Sequence, residues 1–375
     1  MSGFSFARLF AILVKESLQM RRDRGTVGLT VMLPLIQLFL FGYAINANPR
    51  HLPTGLITAE HSTYERTLVA ALQNTGYFDI KPFASEDEAE QALTRGDVLF
   101  VLNIPPDFSR RIDRGERPQV LMDADATDPT AIGNATAALV ALNATVLNRD
   151  LPVGMQVEPP QPPFQVVLHA RYNPEQLTAL NIVPGLLGLI LTVSTLVMTS
   201  LAITRERESG TMENLLAMPV RPVEVMLGKI IPYVGLAYVQ TALILLVSVT
   251  VFGVPIRGSI PLLLFALGVF IACNLAMGFA FSTMATTQMQ AQQLAQFGLL
   301  PSIMLSGFMF PFQGMPAWAR VVGEAVPLTH ALRICRGVLL KGNGLSQIWP
   351  DLWPMALFAS VVGVIAVSMY RETLD

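Results

Sequence analysis

Charge is what this chain has least of. Asp, Glu, Lys and Arg make up 14% of its 375 residues, against roughly a quarter in soluble proteins, while hydrophobic residues reach 52%. With a mean hydropathy of +0.50, the composition excludes an ordinary soluble domain and points to an integral membrane protein. Cysteine is scarce too: Cys273 and Cys335 are the only two, and neither falls between residues 46 and 178. Packing rather than disulfides must stabilise that segment, whatever compartment it occupies. Two cysteines and four scattered histidines (His51, His61, His169, His330) give no metal-ligand spacing, so no metal is expected. No G-x-x-x-x-G-K-[ST] occurs; Gly228-Lys229-Ile230 has neither the upstream glycine nor the hydroxyl. The chain cannot cradle ATP phosphates itself. Its apolar runs also lack a mid-depth acid or base, the usual sign of proton or sodium coupling. Gln37, Asn181, Gln240 and Asn274 are the strongest polar groups in or near them.

The charge that is present is unevenly spread. Residues 46–178 hold 17 acids and 10 bases, a net of −7, whereas the remainder nets +5. An acidic middle inside a basic frame suggests two compartments. Residues 1–26 read as an interfacial helix with Arg8, Lys15, Gln19 and Arg22 on a narrow polar stripe. A first span is expected over 27–45; five preceding bases put the amino terminus on the cytoplasmic side. A signal peptide is the rival reading, but the basic flank lies on the wrong side of the apolar stretch.

Residues 46–178 then read as a small extracytoplasmic α/β domain. Extended apolar segments at 56–60, 78–83, 98–104 and 119–125 alternate with helical stretches near 62–75, 85–95, 106–114 and 128–148. Asp107 is expected near the positive end of a helix. Asp123, Asp125 and Asp128 lack the glycine and terminal glutamate of a calcium loop, so a solvated acidic loop is expected. Asn134 and Asn143 fit the glycosylation sequon but sit on an apolar helix, and read as helix-surface residues. Five prolines in 151–164 predict a stiff connector, and 164–170 a last strand rejoining the sheet.

Five further spans are expected: 179–203, three within 226–312 (about 226–252, 261–284 and 294–312), and 350–370 before a short tail, 371–375. The chain is thus expected to be a helical membrane protein of six transmembrane helices with an inserted α/β domain. Thr195 and Thr199 on the second span, Asn181 near its start, and Ser302 and Ser306 on the fifth are candidate pathway-lining groups. Hydroxyls returned to their own helix are the structural alternative. The uncharged stretch TTQMQAQQ (286–293) reads as a loop. Residues 313–349 follow the fifth span on the outside, which places Arg320, Arg333, Arg336 and Lys341 there against a single Glu324. Four bases outside run against the positive-inside trend; the parity of the spans keeps the placement.

The only strongly charged interruption of the second half is 205–229, within a predicted cytoplasmic loop at 204–225. Gly210 is expected to break the helix, Thr211 to start a short amphipathic one, and Pro219 and Pro222 to end it. The string Glu208, Gly210, Thr211, Glu213, Leu215, Leu216, Met218, Pro219 resembles the signature after the second span of type-2 ABC exporter permeases. Arg171-Tyr172-Asn173-Pro174 and the run from Leu305 to Pro311, Met315-Pro316 and Trp318 are similar to two further stretches of that family. The resemblance implies a permease subunit exporting an apolar or amphiphilic, drug-like or lipid-like substrate, with no catalytic residues and no cofactor of its own. ATP and Mg would be bound by partner ABC ATPase subunits, contacted through Glu206, Glu208, Gly210, Thr211, Glu213, Leu215, Leu216 and Pro219. It also implies a second permease copy or close relative, membrane lipid, a bacterial inner-membrane location, and for 313–349 a pair of short re-entrant helices. A periplasmic adaptor protein is a further expected partner; nucleic acid is not. The reading from a different class is a membrane-anchored receptor or scaffold whose ectodomain binds a peptide, phage component or adaptor.

Overall fold

The computed structural model of the chain describes residues 49–143, 146–147, 162–175, 177–201, 204–208, 210 and 222–372. The expected interfacial helix, the first span, the proline-rich connector up to 161, residues 211–221 and the tail beyond 372 lie outside the described residues.

Five strands and four helices form the α/β domain: β1 (Leu52–Thr58), α1 (Thr63–Asn74), β2 (Phe78–Pro82), α2 (Glu86–Arg95), β3 (Phe100–Ile104), α3 (Phe108–Asp113), β4 (Gln119–Asp125), α4 (Pro129–Asn143) and β5 (Gln165–Arg171). The sheet order is β2-β1-β3-β4-β5. β1 is parallel to both β2 and β3, β3 and β4 are antiparallel, and β4 and β5 are parallel. Parallel neighbours need a crossover, which α1, α2 and α4 supply. Local chemistry sets the helix starts: Ser62 accepts from Glu65 N, and Ser85 from Glu88 N. Asp107 does stand at the start of α3, but it makes no cap hydrogen bond; Glu60 accepts from Ser109 N at 3.2 Å instead.

Alternation along the strands separates two faces. Leu52, Leu56, Phe100, Leu102, Ile104, Val120 and Met122 join Leu68, Leu72, Phe108 and Ile132 in one core. The opposite face, with Ile57 and Val101, packs on Ala89, Ala92 and Leu93 of α2.

The second half is helical: α5 (Thr178–Ser200), α6 (Thr204–Glu208), α7 (Pro222–Thr250), α8 (Ile260–Met284), α9 (Gln288–Leu305), α10 (Ala317–Glu324), α11 (Pro327–Arg336) and α12 (Leu345–Glu372), with a single wider turn at Gly337–Lys341. Among the described residues, four helices are long and apolar enough to cross a membrane: Ala179–Ser200, Pro232–Thr250, Ile260–Met284 and Leu345–Met369. The expected fifth span at 294–312 is not among those four helices. Its helix is Gln288–Leu305, and Gly307 then takes φ +82°, a conformation open to glycine but strained for other residues. The stretch read as a loop from 286 to 293 is helical from Gln288, because Thr287 accepts from Gln290 N and Gln290 Oε1 accepts from Thr286 N. Proline at the first residue of α7 fits its start there.

Leu187, Leu191, Leu267, Phe270, Ile271, Leu332, Leu339 and Leu352 build the core shared by α5, α8, α11 and α12. Gly278 brings α8 against α5: a Cβ there would lie 2.8 Å from the Leu196 carbonyl oxygen and 2.9 Å from Thr199 Cβ. Ser194 donates to Gln240 Oε1 across α5 and α7, and Cys273 Sγ lies 3.1 Å from the Met355 carbonyl oxygen of α12. The two cysteines are buried and unpaired. The bundle has two distinct ends. The α/β domain, the 251–259 turn (Arg257 N donating to Leu339 O, 3.0 Å) and the 313–344 segment share one; α6 and the α8–α9 link share the other.

Candidate functional site

Two places concentrate polar chemistry, one at each end of the bundle. The first is the junction beneath the α/β domain. Asp123 and Asp125 were expected in a solvated loop, but both lie on β4 and are buried. Their separation by one residue puts both carboxylates on the sheet face covered by α2. Asp123 Oδ1 accepts from Arg171 Nε at 3.0 Å and lies 2.8 Å from His169 Nδ1; Arg171 NH1 donates to Glu90 at 2.7 Å. The carboxylates of Asp123, foremost, and Glu90 hold the Arg171 guanidinium above its ordinary pKa.

Asp125 has a partner far away in sequence. Its Oδ2 accepts from Lys341 Nζ at 2.5 Å, with the two side chains only 4% and 7% exposed, and its Oδ1 accepts from Thr127 N and Oγ1. Lys341 also donates to the Leu93 carbonyl at the end of α2 and lies over the Tyr172 ring. Gly342 turns the chain at φ +79°, and Asn343 then donates to the Thr94 carbonyl at 3.4 Å. Beside them Arg336 approaches Asp128 at 3.8 Å, and Asn181 of α5 donates to Asp128 at 3.4 Å. Arg333 forks onto Glu324 at 2.6 and 3.0 Å and reaches Asp351 at 3.3 Å. His330 lies 2.7 Å from Asp351 and donates through Nε2 to the Glu324 carbonyl.

Three of the four bases that conflicted with the positive-inside trend therefore face acids, two of them in the α/β domain; Arg320 is exposed. These groups enclose a cavity of about 160 Å3 bordered by Asp125, Asp128, Ser306, Arg336, Lys341 and Asn343. Arg336 Nε and Asn343 Oδ1 have no hydrogen-bond partner among the described residues.

The candidate pathway residues divide between places. Asn181 and Ser306 meet this junction, and Ser302 lies about one turn before Ser306, its hydroxyl donating to the Gly298 carbonyl at 2.6 Å. Thr195 and Thr199 lie farther along α5, buried, their hydroxyls donating to the Leu191 and Thr195 carbonyls. Thr199 packs on Gly278.

At the other end begins 204–225, the stretch expected to contact an ATPase (the expected coupling stretch). Thr204 N donates to Ser282 Oγ of α8 at 3.4 Å, and Gly210 has φ +69°, the helix break expected of it. Glu208 holds Gln288 with both oxygens: Oε1 accepts from Gln288 N at 2.7 Å and Oε2 from Gln288 Nε2 at 2.6 Å. Glu206 belongs to α6, but its side chain, like Thr211, Glu213, Leu215, Leu216 and Pro219, lies outside the described residues. Sequence reasoning missed Lys341, Arg336, Asp125 and Asn343 as a unit. The available signal was the match between the −7 of the domain and the surplus of bases from 320 to 341.

The profile of the ABC-2 family transporter protein matches residues 24–368. The probable multidrug ABC transporter permease YbhS of Escherichia coli K12 is 31% identical over 344 residues, covering 90% of each chain. The inner membrane transport permease YhhJ of the same organism is 26% identical, covering 98% of this chain and 97% of its own. ABC transporter G family member 20 of Dictyostelium discoideum is 25% identical over 90% of this chain but only 47% of its own length. A permease of this kind is not itself an enzyme, and a partner ATPase subunit handles ATP. On these matches, and with its long apolar helices joined to an α/β domain, the chain belongs to the ABC-2 transporter family, as a permease.

Proposed function

We propose that this chain is the six-span permease of a multidrug-type exporter that moves an apolar or amphiphilic molecule out of the cytoplasm or inner leaflet. The observation that carries the reading is the separation of the two polar sites. The α/β domain and the coupling stretch stand at opposite ends of the same bundle, as an exporter powered from one side requires. The likeness to YbhS, named a probable multidrug permease, supports the substrate class. In this reading 27–45 is the first span and α9 the fifth. At 18 residues and ~1.5 Å each, α9 is about 27 Å long, close to the hydrocarbon thickness. It starts beside Glu208 and ends at Ser306 by the junction, so it crosses from end to end although its glutamines lower its apolarity.

The amino terminus and 204–225 then face the cytoplasm of a bacterial inner membrane, and 46–178 and 313–349 face outward. α10 and α11 are the re-entrant pair. Two permeases, identical or related, share the pathway. ATPase subunits dock on 211–218, with Glu206 and Glu213 offering acids to a basic groove, and their closure on ATP shifts the access of the pathway. Affinity purification from mild detergent tests this: a P-loop ATPase should be recovered at one per permease. Glu213→Lys should abolish transport while the protein still reaches the membrane. Unchanged transport in that variant would sink the docking assignment, and absence of any ATPase would move the receptor reading to first place.

A further inference from the structure

The acid that leads the coupling stretch is not free to serve a partner alone. Glu208 is separated from Gln288 by 80 residues, yet it accepts from both the backbone N–H and the side-chain amide of that residue. Gln288 is the first residue of α9, whose opening N–H groups have no acceptor within the helix. Thr287 caps Gln290 N, and Gln290 in turn caps Thr286 N. Those bonds are local; Glu208 supplies an acceptor from another element, and its negative charge sits where the helix dipole favours it. The other end of α6 is tied as well, by Thr204 N donating to Ser282 Oγ near the end of α8. α6 therefore spans the ends of two bundle helices, with the glycine break at 210 directly beyond it. At the far end of α9, Ser306 and Gly307 border the junction cavity that also contains Asp125, Arg336 and Lys341.

We infer that Glu208 is a positioning residue that ties the coupling stretch to α9, so that a displacement of the stretch reaches the junction through α9 as well as through α5. The inference rests on the exporter reading above. Two elements held at one end by α6 and both reaching the junction would move in step: Asn181 on α5 bonds Asp128, which lines the cavity that Ser306, just after α9, borders. Without the Glu208 link, α5 would still follow the stretch through the continuous chain, while α9 would follow only through its packing on α5 and α6.

The test uses the full permease with its ATPase in lipid nanodiscs. An environment-sensitive fluorophore is attached at a cysteine replacing exposed Met309, just past α9, or exposed Leu177, at the start of α5; Cys273 and Cys335 are buried. The signal change on ATP and vanadate is read for the parent, Glu208→Ala, Glu208→Gln and Gln288→Ala. In Glu208→Ala that retains the ATPase, the Leu177-site response should persist while the Met309-site response falls at least fivefold. Glu208→Gln, which can still accept from Gln288 N, should fall in between. Gln288→Ala removes the side-chain half of the link from the other partner and serves where a Glu208 variant does not assemble. An undiminished Met309-site response in Glu208→Ala overturns the inference, as does a parent whose Met309-site signal never changes. Loss of the ATPase in Glu208→Ala, with the parent still bound, would make Glu208 a docking contact instead. Failure of the parent itself to bind an ATPase would count against the exporter reading.

Discussion

Replacing Lys341 by methionine keeps most of the side-chain volume and removes the charge. The ammonium holds Asp125 Oδ2 and the Leu93 carbonyl in a site where both charged side chains are over nine-tenths buried. Without it the carboxylate of Asp125 keeps, among the described residues, only the two bonds from Thr127, both to Oδ1, and Oδ2 becomes an orphan charge. Breaking a buried pair from one side costs about 3–5 kcal/mol. Because the pair joins the α/β domain to the 337–344 segment, the cost falls on their docking rather than on either fold. At a factor of ten per 1.4 kcal/mol, opening of the junction should become about 10²- to 4 × 10³-fold more frequent. Hydrogen–deuterium exchange on the nanodisc-held protein reads this directly, in peptides covering 93–97 and 337–344. Adding Asp125→Asn should bring exchange back to within about tenfold of the parent, since the amide removes the orphan charge and keeps an oxygen for Thr127. Exchange in Lys341→Met within threefold of the parent, or a double variant as fast as the single, would refute the reasoning.

Gly278→Leu should lower the thermal midpoint of the detergent-solubilised protein, because the new side chain meets the α5 backbone at 2.8 Å; overpacking of this kind costs about 1–3 kcal/mol, and Gly278→Ala should cost less. A midpoint equal to the parent's in size-exclusion thermal assays would mean that α5 and α8 can part without loss. Arg171→Ala should loosen the α/β domain by about 1–2 kcal/mol, discounted for the partial exposure of Arg171 and Glu90, with His169 left as the cross-strand partner of Asp123. Faster exchange confined to β4, β5 and α2 is the expected result, and uniform protection would contradict it.

The alternation of the strands and the length of the apolar runs were readable without coordinates, since both are local periodicities. Three of the five strands lie within one residue of their expected ends at both edges, β3 begins two residues late, at Phe100, and β1 begins four residues early, at Leu52. The start of α9 was also written locally, in Thr287 and Gln290 as a capping box, but the five nearby glutamines suggested a loop. The acids were misjudged for a different reason. Met122-Asp123-Ala124-Asp125 alternates as a strand should, yet burying two carboxylates costs too much unless bases arrive to pair with them. Arg171 comes from the neighbouring strand, and Lys341 from 216 residues away.

The sequence by itself determined that the chain is a membrane protein without a phosphate loop, the course of most of its described strands and long apolar helices, and the family signature at 208–219. These depend on composition, period and spacing within a few turns. Only the tertiary structure decided which acid meets which base, that Glu208 caps α9, and that Asn181 bonds Asp128 beside the cavity that Ser306 borders. Such pairings join residues tens to hundreds of positions apart. They form only where the packing of α5, α8 and α11 and the seating of α2 on the 337–344 segment bring the groups within hydrogen-bond reach.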